Sequence, residues 1–139
     1  MSPIFSRMLR TTGKFKLFKS YNPAYRDGEQ LRDFVWVGDT ASVILWLLEN
    51  PQVNGLFNVG TGEARSFYDL AKAVWAAMGK TPKIGFKEMP EELRGKYQYY
   101  TKADLTKLRK AGYTAPMTSL EDGVRQYVQQ YLNEEDMYK

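Results

Sequence analysis

A helix over residues 40–50 would carry apolar side chains on nearly every side, because Val43, Ile44, Leu45, Trp46, Leu47 and Leu48 follow one another without a polar interruption. A surface helix shows only an apolar stripe, with polar residues opposite. This segment therefore needs cover on more than one side, and a chain of 139 residues has little material left to provide it. Either the domain is unusually well wrapped, or part of the helix's packing partner is missing. Asp39 is placed to cap its N-terminus.

The surrounding segments mix helix and strand. Ile4, Phe5, Met8 and Leu9 recur at helical spacing, which predicts a short amphipathic helix over residues 3–11, ended by Gly13. Residues 15–18 (FKLF) alternate like a short strand, and residues 19–30 form a polar loop with Pro23 and Gly28. Residues 31–37 (LRDFVWV) read as a strand with Arg32, Phe34 and Trp36 on one face, and residues 56–59 as another. Ser66, with Asp69 three residues on, opens a helix that Gly79 stops. Its apolar face is Phe67, Leu70, Ala71, Val74, Trp75 and Met78. A strand over residues 83–89 follows, then helices opened by Thr101 with Asp104 and by Thr118 with Glu121. The class is α/β in the mixed α+β sense, with residues 1–132 as the folded unit and 133–139 as a polar tail.

Composition narrows the chemistry. Neither cysteine nor histidine is present, which excludes disulfides, thiolate nucleophiles, soft metal sites and imidazole catalysis. No apolar run reaches membrane-span length, and the charges near the N-terminus are unlike a signal peptide, so the cytoplasm is the expected location. The net charge of +4 favours an anionic partner, but the basic residues are spread among acidic ones. They do not gather into the stripe that a nucleic acid would need, so neither nucleic acid nor membrane is an expected partner.

Gly60 and Gly62 match the first two glycines of the dinucleotide-binding turn Gly-x-Gly-x-x-Gly. The third position is Arg65, too large for the close helix–strand packing that glycine permits, and no acidic residue ends a second strand about 20 positions on. The turn is read as a corner and not a phosphate cradle. Tyr68 and Lys72 match the Tyr-x-x-x-Lys pair of short-chain dehydrogenases and can meet at i,i+4. No cofactor fold precedes them, and a chain with ten tyrosines produces the pattern by chance. Arg32 suits either a bidentate grip on a diphosphate or a structural salt bridge, with Asp39 as one partner. The cluster KYQYY (residues 96–100) reads as an edge strand in preference to a stacking platform for a base or sugar.

The order LRDFVWVGD (residues 31–39), apolar helix, GLFNVGTGEARSF (residues 55–67) resembles the C-terminal half of extended short-chain dehydrogenases acting on nucleotide sugars, the Rossmann-type epimerase/dehydratase family. KLFKS (residues 16–20), DGEQLRDFVWV (27–37) and LRGKYQYYTKADLTKLRKAGY (93–113) narrow the resemblance to the branch acting on ADP-heptose in lipopolysaccharide core biosynthesis. It covers residues 1–132. The resemblance implies that Phe18, Lys19, Ser20 and Tyr21 line the substrate pocket, that Arg32 holds the nucleotide diphosphate, and that Tyr97 contacts substrate. A family histidine falls near Ser6 and Arg7, neither of which is histidine, and that contact is not carried over.

The resemblance further implies NADP-dependent interconversion of ADP-D-glycero- and ADP-L-glycero-D-manno-heptose, by transient oxidation at C6″ and hydride return to the opposite face, in a homo-oligomer. The family's NADP-binding glycine motif and its catalytic Tyr-x-x-x-Lys pair belong to an N-terminal half that this sequence does not contain. No residue here is therefore expected to be catalytic or cofactor-binding, and the chain is expected to be a C-terminal portion, inactive alone. Two alternatives stay open: another nucleotide-sugar epimerase or dehydratase, and a non-catalytic sugar-nucleotide-binding module.

Overall fold

The structure, a computed structural model, describes residues 14–132. The helix expected over residues 3–11 and the tail at 133–139 lie outside the described residues. In order, the chain runs β1 (Phe15–Phe18), β2 (Leu31–Arg32), α1 (Val37–Glu49), β3 (Arg65–Ser66), α2 (Phe67–Ala77), β4 (Ile84–Lys87), α3 (Glu91–Arg94), α4 (Thr106–Ala111) and α5 (Leu120–Tyr127). A π-helical turn, Val128–Leu132, continues α5. The mixed α/β class is the expected one.

β1 pairs in parallel with β4, from Phe15 opposite Ile84 to Phe18 opposite Lys87. A parallel pair needs a long crossover, and α2 lies within it and packs on β1. α2 forms where local signals demand it. The Ser66 hydroxyl accepts from the Asp69 amide at 3.0 Å, the Asp69 carboxylate accepts from the Ser66 amide in return, and Gly79 ends the run with φ +67°. Of its buried residues, Ala73, Val74 and Trp75 pack with Leu120 and Val124 of α5 and with Val128 in the main core. Val74 and Val128 are 1% and 0% exposed. Burying an aliphatic side chain this fully stabilises by about 1.5–3 kcal/mol. A second cluster joins Val43 of α1 to Leu108 of α4 and to Tyr113.

Of the two alternatives for α1, the well-wrapped domain is not what is found: among the described residues the helix is covered on one side, with Val43 buried, while Val37, Ile44, Leu45 and Leu48 are 66%, 55%, 60% and 73% exposed. Several other expectations are corrected. Asp39 is not the cap of α1. The helix begins after Trp36, which makes no side-chain cap bond, and Asp39 accepts from the Thr118 amide and hydroxyl, both at 2.7 Å. With Thr118 so engaged, Ser119 caps α5 instead, accepting from the Asp122 amide at 3.2 Å.

Residues 31–37 do not form one strand. The antiparallel ladder with β3 spans Leu31–Arg32 only, and the Asp33 carboxylate then takes amide groups from other segments. Residues 56–59 form no strand, because no strand among the described residues runs beside them. Residues 96–100 are not an edge strand either, although Leu31 N–H donates to the Tyr99 carbonyl at 2.8 Å and Thr101 N–H donates to the Leu31 carbonyl at 3.2 Å. Thr101 does not open α4, which starts at Thr106, where the Asp104 carboxylate accepts from the Thr106 amide at 2.9 Å.

Candidate functional site

The end of β1, the loop after it, and residues 97–99 meet at one edge of the molecule. Phe18 meets Tyr97 edge-on at 6.1 Å between ring centroids, and Tyr97 meets Tyr99 at 5.4 Å. The Tyr99 hydroxyl accepts from the Tyr21 amide at 3.0 Å. Several contacts hold the loop of residues 19–30 in place. Asp27 accepts from the Ser20 amide at 2.8 Å, and Tyr25 stacks on Tyr99 at 5.6 Å. Gln30, 1% exposed, donates from Nε2 to the carbonyls of Phe18 and Lys19. Gly28 takes φ +73°, and a Cβ there would come within 2.8 Å of Leu17.

Arg32 reaches the same edge through Tyr97. Its guanidinium lies 5.1 Å from the Tyr97 ring and 5.6 Å from the Phe67 ring, and Nη1 donates to the Leu31 carbonyl at 2.9 Å. Among the described residues Arg32 makes no ion pair; the Asp39 partnership left open by the sequence does not form, because Asp39 serves Thr118. Burial pushes the Tyr97 hydroxyl's pKa above its ordinary value, with the Arg32 charge opposing and Tyr99 adding to the rise.

The structure thus brings Phe18, Lys19, Ser20, Tyr21, Arg32 and Tyr97 into one contiguous neighbourhood. They are not equivalent within it. Phe18 and Tyr97 line an apolar cleft of about 670 Å³ that runs over Phe34, Trp36, Phe67 and Leu120, whereas Lys19, Ser20, Tyr21 and Arg32 lie outside its lining. The Ser20 hydroxyl is turned into its own loop, donating to the Asn22 carbonyl at 2.9 Å. Lys19 and Tyr21 both meet Glu88, a residue that no sequence signal marked. Only the β1–β4 register, which the sequence does not state, brings Glu88 beside Lys19.

The glycine turn has no vacancy for a phosphate. The amides of Thr61 and Gly62 both donate to Asp33, at 2.9 Å each, and a Cβ at Gly60 would lie 2.7 Å from the same carboxylate. The residues present therefore do not form a nicotinamide cofactor site there. Tyr68 and Lys72 face each other as a cation over a ring, 5.1 Å to the centroid, with Lys72 also 3.5 Å from Asp69. No helix of the described residues is long and apolar enough to cross a membrane, and no metal-binding cluster occurs among them.

Comparison with known proteins gives a consistent picture. The profile described as "NAD dependent epimerase/dehydratase family" matches residues 2–60. The ADP-L-glycero-D-manno-heptose-6-epimerase of Nitratidesulfovibrio vulgaris strain DP4 is 53% identical over 126 residues, covering 91% of this chain and 39% of the relative. That of Fusobacterium nucleatum is 48% identical over 135 residues, covering 93% of this chain and 41% of the relative. Among solved structures, the Helicobacter pylori ADP-L-glycero-D-manno-heptose-6-epimerase superposes with a TM-score of 0.69 at 25% identity, over 91% of this chain and 36% of that one. The Thermus thermophilus UDP-glucose 4-epimerase, solved with NAD, gives 0.73 at 26% identity, over 94% and 39%. The chain spans about two fifths of the length of the curated relatives it matches.

Proposed function

We infer, from its kinship over nearly its whole length with ADP-L-glycero-D-manno-heptose-6-epimerases, that this chain supplies the nucleotide-sugar-holding part of such an epimerase. The observation that carries the reading is the meeting of residues 18–21, Arg32 and Tyr97 at one edge. In this proposal Arg32 grips the diphosphate. Its guanidinium is fixed against two rings, yet keeps its fork free of any carboxylate among the described residues. Residues 18–21 and Tyr97 face the sugar.

Residues 1–132 act as one unit with a dinucleotide-binding part of the same protein, which holds the nicotinamide cofactor, NADP in this proposal. The apolar face that α1 leaves open supports such a neighbour. Inactivity of the chain alone, a cytoplasmic location, a role in lipopolysaccharide core synthesis and a homo-oligomeric state complete the proposal.

The test is titration calorimetry of the assembled enzyme with ADP-heptose, followed by competition with ADP, UDP and dTDP. Preferential displacement by ADP supports the reading. Equal displacement by all three nucleotides overturns the adenine assignment and favours another nucleotide-sugar epimerase or dehydratase.

A further inference from the structure

We propose that Glu88 is a positioning residue of the substrate site, holding Lys19, Tyr21 and Arg94 in one arrangement; the inference rests on the nucleotide-sugar reading above. β4 ends at Lys87, and the ladder with β1 runs one step further, the Lys19 amide donating to the Lys87 carbonyl at 2.9 Å. Glu88 therefore emerges beside the start of the loop that carries Lys19 and Tyr21. One of its carboxylate oxygens accepts from Lys19 Nζ at 3.0 Å; the other accepts from the Tyr21 hydroxyl and stands 3.8 Å from Arg94 Nη2. Arg94 is itself anchored, donating from Nε to the carbonyl of the fully buried Met89 at 2.9 Å, and its guanidinium lies 4.2 Å over the Tyr21 ring. One carboxylate thus gathers an ammonium and a phenol from the loop after β1 and a guanidinium from the end of α3.

Folding stability does not account for this arrangement. The Glu88 side chain is 62% exposed, and exposed ion pairs contribute little. Orientation does account for it. Lysine, tyrosine and arginine side chains lose rotamer freedom when they meet a ligand, and a carboxylate that already holds them lowers that cost. The hydrogen bond and charge of Glu88 also raise the Lys19 pKa. Lys87, one residue earlier, faces the Phe18 ring instead, at 5.0 Å, so the function belongs to Glu88 and not to the strand end at large.

The experiment is steady-state kinetics of the assembled enzyme with ADP-heptose. Glu88→Gln is expected to raise KM about tenfold, with kcat within about twofold and the melting temperature unchanged. In a Tyr21→Phe background the same substitution is expected to raise KM by clearly less than in the wild type, because the two share one contact. A KM within about twofold of wild type, a matching fall in melting temperature, or full additivity with Tyr21→Phe overturns the inference alone. A wild-type enzyme that does not act on ADP-heptose overturns the nucleotide-sugar reading, and this inference with it.

Discussion

The Asp33 carboxylate accepts two hydrogen bonds from Thr61, one from its amide at 2.9 Å and one from its hydroxyl at 2.5 Å. It also accepts from the amides of Gly62 at 2.9 Å and Ala103 at 3.0 Å. One side chain therefore ties the end of β2, the glycine turn and the segment before α4 together. Asp33→Ala strands three half-buried amides and is expected to cost about 2 kcal/mol of stability, read as a shift in the urea midpoint. An unchanged midpoint would mean that water satisfies those amides equally well.

Acid should release the same tie. Burial disfavours the charged form of Asp33, but the bonds from Thr61, Ala103 and Gly62 outweigh it and hold the pKa below the ordinary value of 3.8. The folded state thus keeps its carboxylate ionised at a pH where the unfolded chain has taken up a proton. The stabilisation is complete above 3.8 and is lost as pH falls through the lower folded value. Asp69 is shifted in the same direction, with burial opposing the Ser66 and Arg65 contacts, and so is Glu121, chiefly through Arg65. Melting temperature recorded from about pH 5 down to about pH 2 should fall, and fall less steeply in Asp33→Asn. Identical slopes would remove Asp33 from the acid transition.

Arg32 is expected to act on ligand more than on fold. Arg32→Ala in the assembled enzyme should weaken nucleotide-diphosphate binding by about 2–4 kcal/mol, measured by calorimetry. Arg32→Lys keeps the charge and loses the fork, so it should recover only part of that loss. Wild-type affinity in Arg32→Ala would make the residue structural.

The open face of α1 predicts behaviour of the chain by itself. Ile44, Leu45 and Leu48 are each more than half exposed, so the isolated chain should bind a hydrophobic dye or self-associate. Leu45→Glu combined with Leu48→Glu should abolish the dye signal while changing stability by no more than about 0.5 kcal/mol per site. Dye binding that survives both substitutions would locate the exposed apolar surface elsewhere.

Local chemistry was legible in the sequence wherever a segment satisfies its own hydrogen bonds. The Ser66–Asp69 capping box and the Gly79 stop act within a few residues and are found as read, while the buried face of α2 keeps Ala71, Val74 and Trp75 of the face read and adds Ala73. The alternation of FKLF likewise marked β1, and the candidate substrate-contacting residues came from a resemblance carried by short motifs. Strand length was not legible, because an extended segment is a strand only beside a partner. Leu31–Arg32 has β3 and Tyr99 alongside, while residues 56–59 have no strand next to them among the described residues. The roles of the acidic residues were decided the same way. Asp39 looks like a cap and instead holds Thr118, and Glu88 carries no local signal yet meets Lys19, Tyr21 and Arg94. A carboxylate binds whatever donors the fold brings within hydrogen-bond reach, and Thr118 for Asp39, like Lys19 and Tyr21 for Glu88, comes from a segment that only the tertiary structure places beside it.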